Sequence, residues 1–478
     1  MSTSSNRSST KRDGVMSSIF EAIGNTPLVR LNRIPKEEGV ECEILAKCEF
    51  MNPGGSIKDR ISLEMINVAE AEGLLTPGAT IVEASSGNTG IGLALVSAVK
   101  GYKTIITIPD RMSNEKVSTL KSLGSQVIRT PSEAKTFDEA SYYMLAKRLQ
   151  KETPNAHILD QYGNPANPSV HERTTGQEIF DQTEGNLDFV FAGAGTGGTI
   201  TGVARRLKSL NPHIKVVGVD PMGSTLALPE SLNLPKKGLQ VEGIGKDYVP
   251  KNLDRSLIDA WVKTDDPDSL RLARALIAKE GLLCGSSSGA ALEGCLKFLK
   301  ENNLHTDPSI RCVIILPDSI RNYLSKFCSD EYMVKKGFMQ ASVLSSEDHP
   351  LHGKTIGDLH LQPISFFDDR LPVTECKKLF AKGEVAVPLT TEGKLRGIIT
   401  RDSIMNWLTK KTLNFSASAN AISKEAIVVD YETDLSSIDS LLRCDDAVYV
   451  QRKDKDGKLL AIYAVTKSDL IKLLAQDV

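Results

Sequence analysis

The sequence predicts an α/β protein in two parts: a parallel-sheet domain of enzyme size, then a pair of small duplicated α/β units. Three observations carry this. From Glu43 to about Leu316, short apolar runs alternate with longer helical patterns. After Phe338 the chain becomes polar and turn-rich, in "MQASVLSSEDHPLHGKT". Beyond that stretch two segments, Leu395 to Leu408 and Ala461 to Leu474, repeat one strand–Thr–turn–helix plan.

Each element is written in its own residues. "EILAKCEF", "TIVEAS", "KTIITIP", "SQVIRTP", "HILDQY", "LDFVFAG", "KVVGVD" and "CVIILP" are short apolar runs and read as buried strands. Between them "RISLEMINVAEAEGLL", "GIGLALVSAVKGY", "DEASYYMLAKRLQKE", "ITGVARRLKSLNP" and "SLRLARALIAKEG" read as helices. Strands alternating with helices of this length imply βαβ units and parallel sheets covered on both faces. In the second part "EVAVPLTT" precedes "LRGIITRDSIMNWL", and "DAVYVQRK" precedes "AIYAVTKSDLIKLL". The wide offset between Thr400 and Thr466 predicts a duplicated small domain rather than a solenoid. The boundaries read this way are a disordered arm at 1–18, a main domain at 19–338, a linker at 339–354, and two repeats at 355–412 and 420–478.

Bulk properties exclude other classes. With 40% hydrophobic and 25% charged residues, the 478-residue chain has an ordinary globular composition. A formal net charge of -2 gives no basic excess for nucleic acid or an anionic membrane. No apolar run approaches the ~18 residues of a membrane-spanning helix. The eight cysteines form no CxxC pair, which predicts reduced, buried thiols in a cytosolic protein and no structural zinc. The opening "MSTSSNRSSTKRDG" lacks an apolar signal-peptide core; a disordered arm is the first reading and an organelle transit peptide the second. The glycosylation patterns at Asn6 and Asn414 are then chance matches.

Four loops concentrate the chemistry. "NPGGSIKDR", Asn52 to Arg60, places Lys58 behind a Gly-rich turn at a helix start, outside a P-loop frame. "SSGNTGIGLAL", from Ser85, comes after a strand and offers hydroxyls, an amide and backbone N–H groups to an anion. "GAGTGGTITG", from Gly193, suits a phosphate, because glycines let backbone amides approach and the helix dipole adds to the attraction. "CGSSSGAAL", from Cys284, is a fourth polar turn before a helix. Gly193, Gly195 and Gly198 with Asp220 also imitate a dinucleotide fingerprint. That reading leaves Lys58 and the SSGNTG turn unused. One phosphate loop, one anion loop and one loop-borne lysine suit pyridoxal phosphate better, which needs a Schiff-base lysine, a phosphate cup and a partner for its ring nitrogen.

In order along the chain, "IGNTPLVRL", "NPGGSIKDR", "EASSGNTGIGLA", "GAGTGGTITG", "EGIG" and "LLCGSSSG" resemble the β-family, fold-type II pyridoxal-phosphate enzymes, in the cysteine synthase and cystathionine β-synthase branch. The resemblance covers about Ile19 to Phe338 and implies a two-subdomain α/β catalytic fold; the C-terminal pair resembles tandem CBS domains, a Bateman module. It further implies that Lys58 holds the cofactor and acts as acid and base at the substrate Cα. Asn88 would meet the ring hydroxyl, and Gly195, Thr196, Gly197, Gly198 and Thr199 the phosphate. Ser85, Ser86, Thr89 and Gln161 would bind the substrate carboxylate, with Tyr162 and Gly243 also lining the substrate. Ser287 would face the pyridine nitrogen with a hydroxyl, which does not hold that nitrogen protonated. The weaker electron sink favours expelling a β-leaving group over transamination.

The resemblance implies β-replacement on L-serine by L-homocysteine. O-acetylserine with sulfide is the rival pair, and a dehydratase is disfavoured because its loop usually reads GNH. Lys246 departs from the tyrosine that many members place after EGIG, which bears on the choice of thiol. The arm before Ile19 has no Cys or His, so no haem is expected. In the C-terminal pair, Thr466 and Asp469 form the one complete Thr-x-x-Asp turn, a candidate nucleotide contact; Thr400 is followed at that spacing by Ser403. "GEVAVP" lacks the aromatic and acidic pair of members activated by S-adenosylmethionine, so such regulation is not expected. A closed C2 homodimer is the default assembly.

Overall fold

A computed structural model describes residues 14–85, 87–131, 134, 136–235, 239–382, 384, 386–391, 394–408 and 418–475. The predicted positions Ser86, Gly383, Val385, Asn6 and Asn414 lie outside the described residues, as do 1–13 of the arm and 409–417 and 476–478 of the repeats. The chain divides into two compact units, with the division between Cys328 and Ser329.

The first unit contains two sheets. The larger has six strands in the order β1(Leu28–Arg30), β2(Glu43–Cys48), β10(Arg311–Leu316), β7(Phe189–Gly193), β8(Lys215–Pro221), β9(Ala260–Thr264). Only β1 runs antiparallel, paired with β2. The smaller is wholly parallel, in the order β5(Gln126–Thr130), β4(Lys103–Pro109), β3(Thr80–Ala84), β6(Ala156–His157). The inner strands β3, β4, β7, β8 and β10 are largely buried along their length, which is why they read as continuous apolar runs. Six of the eight cysteines are buried, Cys328 is half-buried and Cys444 exposed, and none is in a disulfide.

Two helix crossings bring the loops of the first unit into place. Helix Lys58–Ala71 crosses helix Asn88–Lys100 at Gly92, where a Cβ would fall 2.4 Å from Ser62 Oγ and 3.1 Å from the Lys58 carbonyl. That close approach brings the two helix starts together. Helix Gly198–Leu210 likewise crosses the Ala166–Gln182 stretch at Gly202, where a Cβ would fall 2.2 Å from the Pro168 carbonyl. Within that stretch His171–Gly176 forms a π-helical segment, a distortion frequent at functional sites.

Sequence and structure differ at particular elements. "HILDQY" contributes only its first residue to a strand, because Leu159 to Tyr162 leave the sheet as a loop. The helix Asn114–Ser122 and the strands β1 and β9 are additional to the elements read from the sequence. Their apolar runs are short or interrupted by Lys and Arg, so no clear period is visible in the local pattern.

The second unit repeats one plan twice. β11(Phe367–Asp368), helix Val373–Ala381, β12(Ala386–Thr391), β13(Lys394–Thr400) and helix Arg401–Leu408 form the first half. β14(Val428–Asp430), helix Leu435–Leu441, β15(Val448–Lys453), β16(Leu459–Val465) and helix Lys467–Leu474 form the second. In both, the first strand pairs parallel to the second and the second antiparallel to the third, with a register shift between Leu389 and Thr390 in one and Arg452 and Lys453 in the other. Residues 339–354, read as a linker, include Leu351, which is buried in a core with Val334, Ile356 and Ile438.

Candidate active site

Lys58 owes its position to the end of β10. The Gly54–Ile57 turn is zipped to that end: Ile57 N donates to Pro317 O (2.8 Å) and Ser319 N to Gly55 O (3.0 Å). Asp59 closes the same turn by accepting from Gly54 N at 2.6 Å, and a Cβ at Gly54 would overlap its carboxylate. Gly55 has φ +85°, which a side chain would strain. Burial lowers the Lys58 pKa to about 8; Asp318 opposes that fall and the Lys246 charge adds to it. A buried acid–base network anchors the turn from behind. The Arg60 guanidinium grips Glu49 with Nε (2.8 Å) and Nη2 (2.7 Å), and Glu178 with Nη1 and Nη2, both 2.7 Å. Asn52 joins it by donating to Glu49 Oε2 at 3.0 Å.

The anion loop lies just beyond β3. Ser85 Oγ accepts from Gly87 N and Gly90 N, both at 3.0 Å, so it caps helix Asn88–Lys100. Gly87 has φ +126°, and a Cβ there would overlap the Lys116 side chain at 2.5 Å. Thr89 Oγ1 donates to Gln161 Oε1 at 2.6 Å, and Gln161 Nε2 to Ala84 O at 3.2 Å. The loop carrying Gln161 is held by Glu83, whose carboxylate accepts from the amides of Asp160 and Gln161, each at 3.1 Å. Burial pushes the Glu83 carboxyl up to about 7, and the Gln161 amide partly opposes this. An acid inside the apolar run TIVEA was the available sequence clue to Glu83.

Asn88 is clamped from the larger sheet: Nδ2 donates to Asp318 Oδ2 at 2.7 Å, and Oδ1 accepts from Asn322 at 2.9 Å. Asp318 also accepts from the Tyr323 hydroxyl. Lys116 links this group to Glu242 at 2.6 Å and lies over the Tyr323 ring, 4.5 Å from its centroid. Burial raises the Asp318 carboxyl, and Lys116 acts against it. Sequence reading missed Lys116, Asp318, Asn322 and Tyr323, since only the fold gathers them; "PDS" after a buried strand was the one local hint.

The glycine loop after β7 fits a phosphate. Gly197 has φ +83° and precedes helix Gly198–Leu210, whose start carries no side-chain cap, leaving backbone N–H groups for an anion. A Cβ at Gly195 would fall 2.5 Å from Gly243 O, and one at Gly197 2.4 Å from the Leu253 Cβ. Only glycine fits this packed cradle. Thr196 Oγ1 accepts from Asn167 Nδ2 at 3.1 Å, and Thr199 Oγ1 pairs with His171 Nε2 at 3.2 Å. Burial, with the Lys58 and Arg60 charges, drives the His171 pKa well below its ordinary value, so the ring is neutral. Asn167 Oδ1 is buried without a partner beside the cradle. The dinucleotide reading finds no support at Asp220, which is buried and bound to Lys263 at 2.7 Å.

Ser287 is buried in the first turn of helix Ser286–Glu301, and a Cβ on Gly243 (φ +91°) would lie 4.0 Å from its Oγ. Tyr162 is buried and its hydroxyl accepts from Lys246 at 2.9 Å. Ser287 apart, the described candidates of this unit lie past the carboxyl ends of parallel strands, where open α/β sheets place their ligands. The Cys284↔Ser319 bridge ties the Ser287 turn to the same edge. The glycine cradle at an uncapped helix start and the buried lysine of lowered pKa fit pyridoxal phosphate. In the second unit Asp469 Oδ2 accepts from Thr466 N (3.0 Å) and Thr466 Oγ1 (2.6 Å), a capping box on helix Lys467–Leu474. Thr400 and Ser403 make the weaker equivalent at 3.2 Å. Among the described residues no group of three or more His, Cys, Asp or Glu could hold a metal, and no helix is long and apolar enough to cross a membrane.

Comparison with known proteins accords with this geometry. Residues 19–318 match the family described as pyridoxal-phosphate dependent enzyme, and residues 356–410 match the CBS domain. The chain is 42% identical over 477 residues to a cystathionine beta-synthase of Dictyostelium discoideum, covering 97% of this chain and 93% of that one. It is 48% identical over 407 residues to that of Mus musculus, covering 84% and 71%. Among solved structures, an O-acetylserine dependent cystathionine beta-synthase from Helicobacter pylori superposes with a TM-score of 0.59 at 35% identity, covering 66% of this chain and 98% of that one. The cofactor is therefore pyridoxal phosphate, and the chain belongs to the cystathionine β-synthase family of pyridoxal-phosphate dependent enzymes.

Proposed function

We propose that the protein replaces the β-hydroxyl of L-serine with the thiol of L-homocysteine, giving L-cystathionine and water, as a cytosolic homodimer. What supports this reading is that the Lys58 turn and the Ser287 turn are both tied to the residues that follow β10, and that the glycine cradle follows β7, the neighbour of β10 in the same sheet. Pyridoxal phosphate, when bound, supplies the electron sink that makes the substrate Cα acidic and lets the β-group leave.

The chain's own groups supply the rest. Gly195 to Thr199 would hold the phosphate at the uncapped helix start, with Asn167 and His171 fixing the two threonines. Asn88, clamped by Asp318 and Asn322, would present its remaining N–H to the ring hydroxyl. Ser287 would meet the pyridine nitrogen with a neutral hydroxyl, leaving that nitrogen unprotonated. Ser85, Thr89 and Gln161 would orient the serine carboxylate, and Ser86 joins them by sequence alone. Lys58, with its pKa near 8, takes and returns the Cα proton close to neutral pH. The same replacement on cysteine would release hydrogen sulfide.

The test is product analysis with serine or O-acetylserine against homocysteine or sulfide. Cystathionine from serine and homocysteine as the dominant product is expected. Cysteine formed from O-acetylserine and sulfide, with no cystathionine from serine, would overturn it in favour of a cysteine synthase.

A further inference from the structure

Lys246 places a cation in the cleft that has no part in the chemistry at the serine Cα and β-carbon. Its main chain is fixed: the amide donates to Ser224 Oγ at 2.9 Å and the carbonyl accepts from Thr225 N at 2.8 Å. The ammonium donates to Tyr162 OH at 2.9 Å and Tyr142 OH at 3.4 Å, and lies 4.7 Å from the Tyr162 ring centroid. The two hydroxyls stand 3.4 Å apart. Among the described residues no carboxylate pairs with Lys246, although the side chain is partly buried. The Lys246 charge also acts to lower the Lys58 pKa, behind burial and against Asp318, so the two ammonium groups are near enough to repel each other.

Among the described residues this arrangement lacks an anion. Phenol oxygens that accept from an ammonium keep their own protons, and one hydroxyl–hydroxyl bond consumes only one of the two. An ammonium and a spare O–H therefore converge beside Gln161, the residue before Tyr162. The carboxylate of the first amino acid is already assigned to Ser85, Thr89 and Gln161. A β-replacement that joins two amino acids brings a second carboxylate into the cleft, and in a partly dry site it pairs strongly with an uncompensated cation.

We propose that Lys246, with Tyr142 and Tyr162, seats the carboxylate of an amino-acid thiol and so selects such thiols over those without a carboxylate. The inference rests on the β-replacement reading. The test uses the loaded full-length enzyme, L-serine, and either homocysteine or 2-mercaptoethanol as the thiol. Lys246→Met is expected to reduce the ratio of kcat/KM for homocysteine over 2-mercaptoethanol about tenfold to a hundredfold, mainly through the homocysteine KM. Lys246→Arg, which keeps the charge, is expected to restore most of that ratio. A Lys246→Met enzyme that forms cystathionine with an unchanged ratio overturns the seat and leaves β-replacement standing. A wild-type enzyme that forms no cystathionine overturns both.

Discussion

Arg60→Met tests the network behind the Lys58 turn. Among the described residues, it removes the one guanidinium that touches Glu49, a fully buried carboxylate, while Glu178 keeps Lys47 at 2.7 Å. The stranded charge is therefore Glu49. Burial alone would raise the Glu49 pKa, but Arg60 overrides it and holds the carboxyl at about 2, against an ordinary 4.5. That depression corresponds to about 3 kcal/mol of folding stability at neutral pH, within the ~3–5 kcal/mol seen when one partner of a buried ion pair is removed. Because the folded pKa is depressed, this stability is present above about pH 4.5 and is lost as pH falls toward about 2. The assay is urea unfolding followed by fluorescence in a Trp407→Phe background, which leaves Trp261 as the sole tryptophan and reports the first unit. Arg60→Met should lower stability by about 3 kcal/mol and flatten its decline between about pH 4.5 and 2. Adding Glu49→Gln should recover at least half of the loss, since the stranded charge is gone. An unchanged midpoint in Arg60→Met, or a double variant no better than the single, would refute the reasoning.

Four further outcomes are expected. The rate at which apoenzyme takes up pyridoxal phosphate covalently should rise with pH around a midpoint near 8, because burial makes the Lys58 amine available there; a midpoint near 10.5 would show a solvated lysine. Ser287→Asp should protonate the ring nitrogen, shift the visible spectrum and cut β-replacement by at least about tenfold; an unchanged spectrum and rate would remove Ser287 from that role. Asp469→Ala should cost about 0.5–2 kcal/mol in the second unit by breaking the capping box, read as a lower unfolding midpoint of that unit. S-adenosylmethionine should not activate the wild-type protein; saturable activation lost in Asp469→Ala would contradict this.

The sequence by itself determined the strand–helix alternation, the glycine cradle, the Lys58 turn and the C-terminal duplication. Each is written in contiguous residues: apolar runs of strand length, glycines where the backbone turns with positive φ, and a lysine at fixed distance from them. The resemblance in loop order then pointed to the cofactor. Only the tertiary structure decided what sits behind those loops. Asp318, Asn322 and Tyr323 reach Asn88 across more than two hundred residues of chain, and Glu178 reaches Arg60 across 118, separations over which no local pattern extends. The same holds for Glu83, whose acidity inside a strand looks anomalous until the Gln161 loop folds onto it. Lys246 is the clearest case. In the sequence it is one substituted position after EGIG, whereas in the fold it is a charge with no carboxylate partner among the described residues, set against two tyrosine hydroxyls. Partners of this kind are fixed by the packing of the two sheets, since burying a polar group is tolerable only where the fold brings its complement.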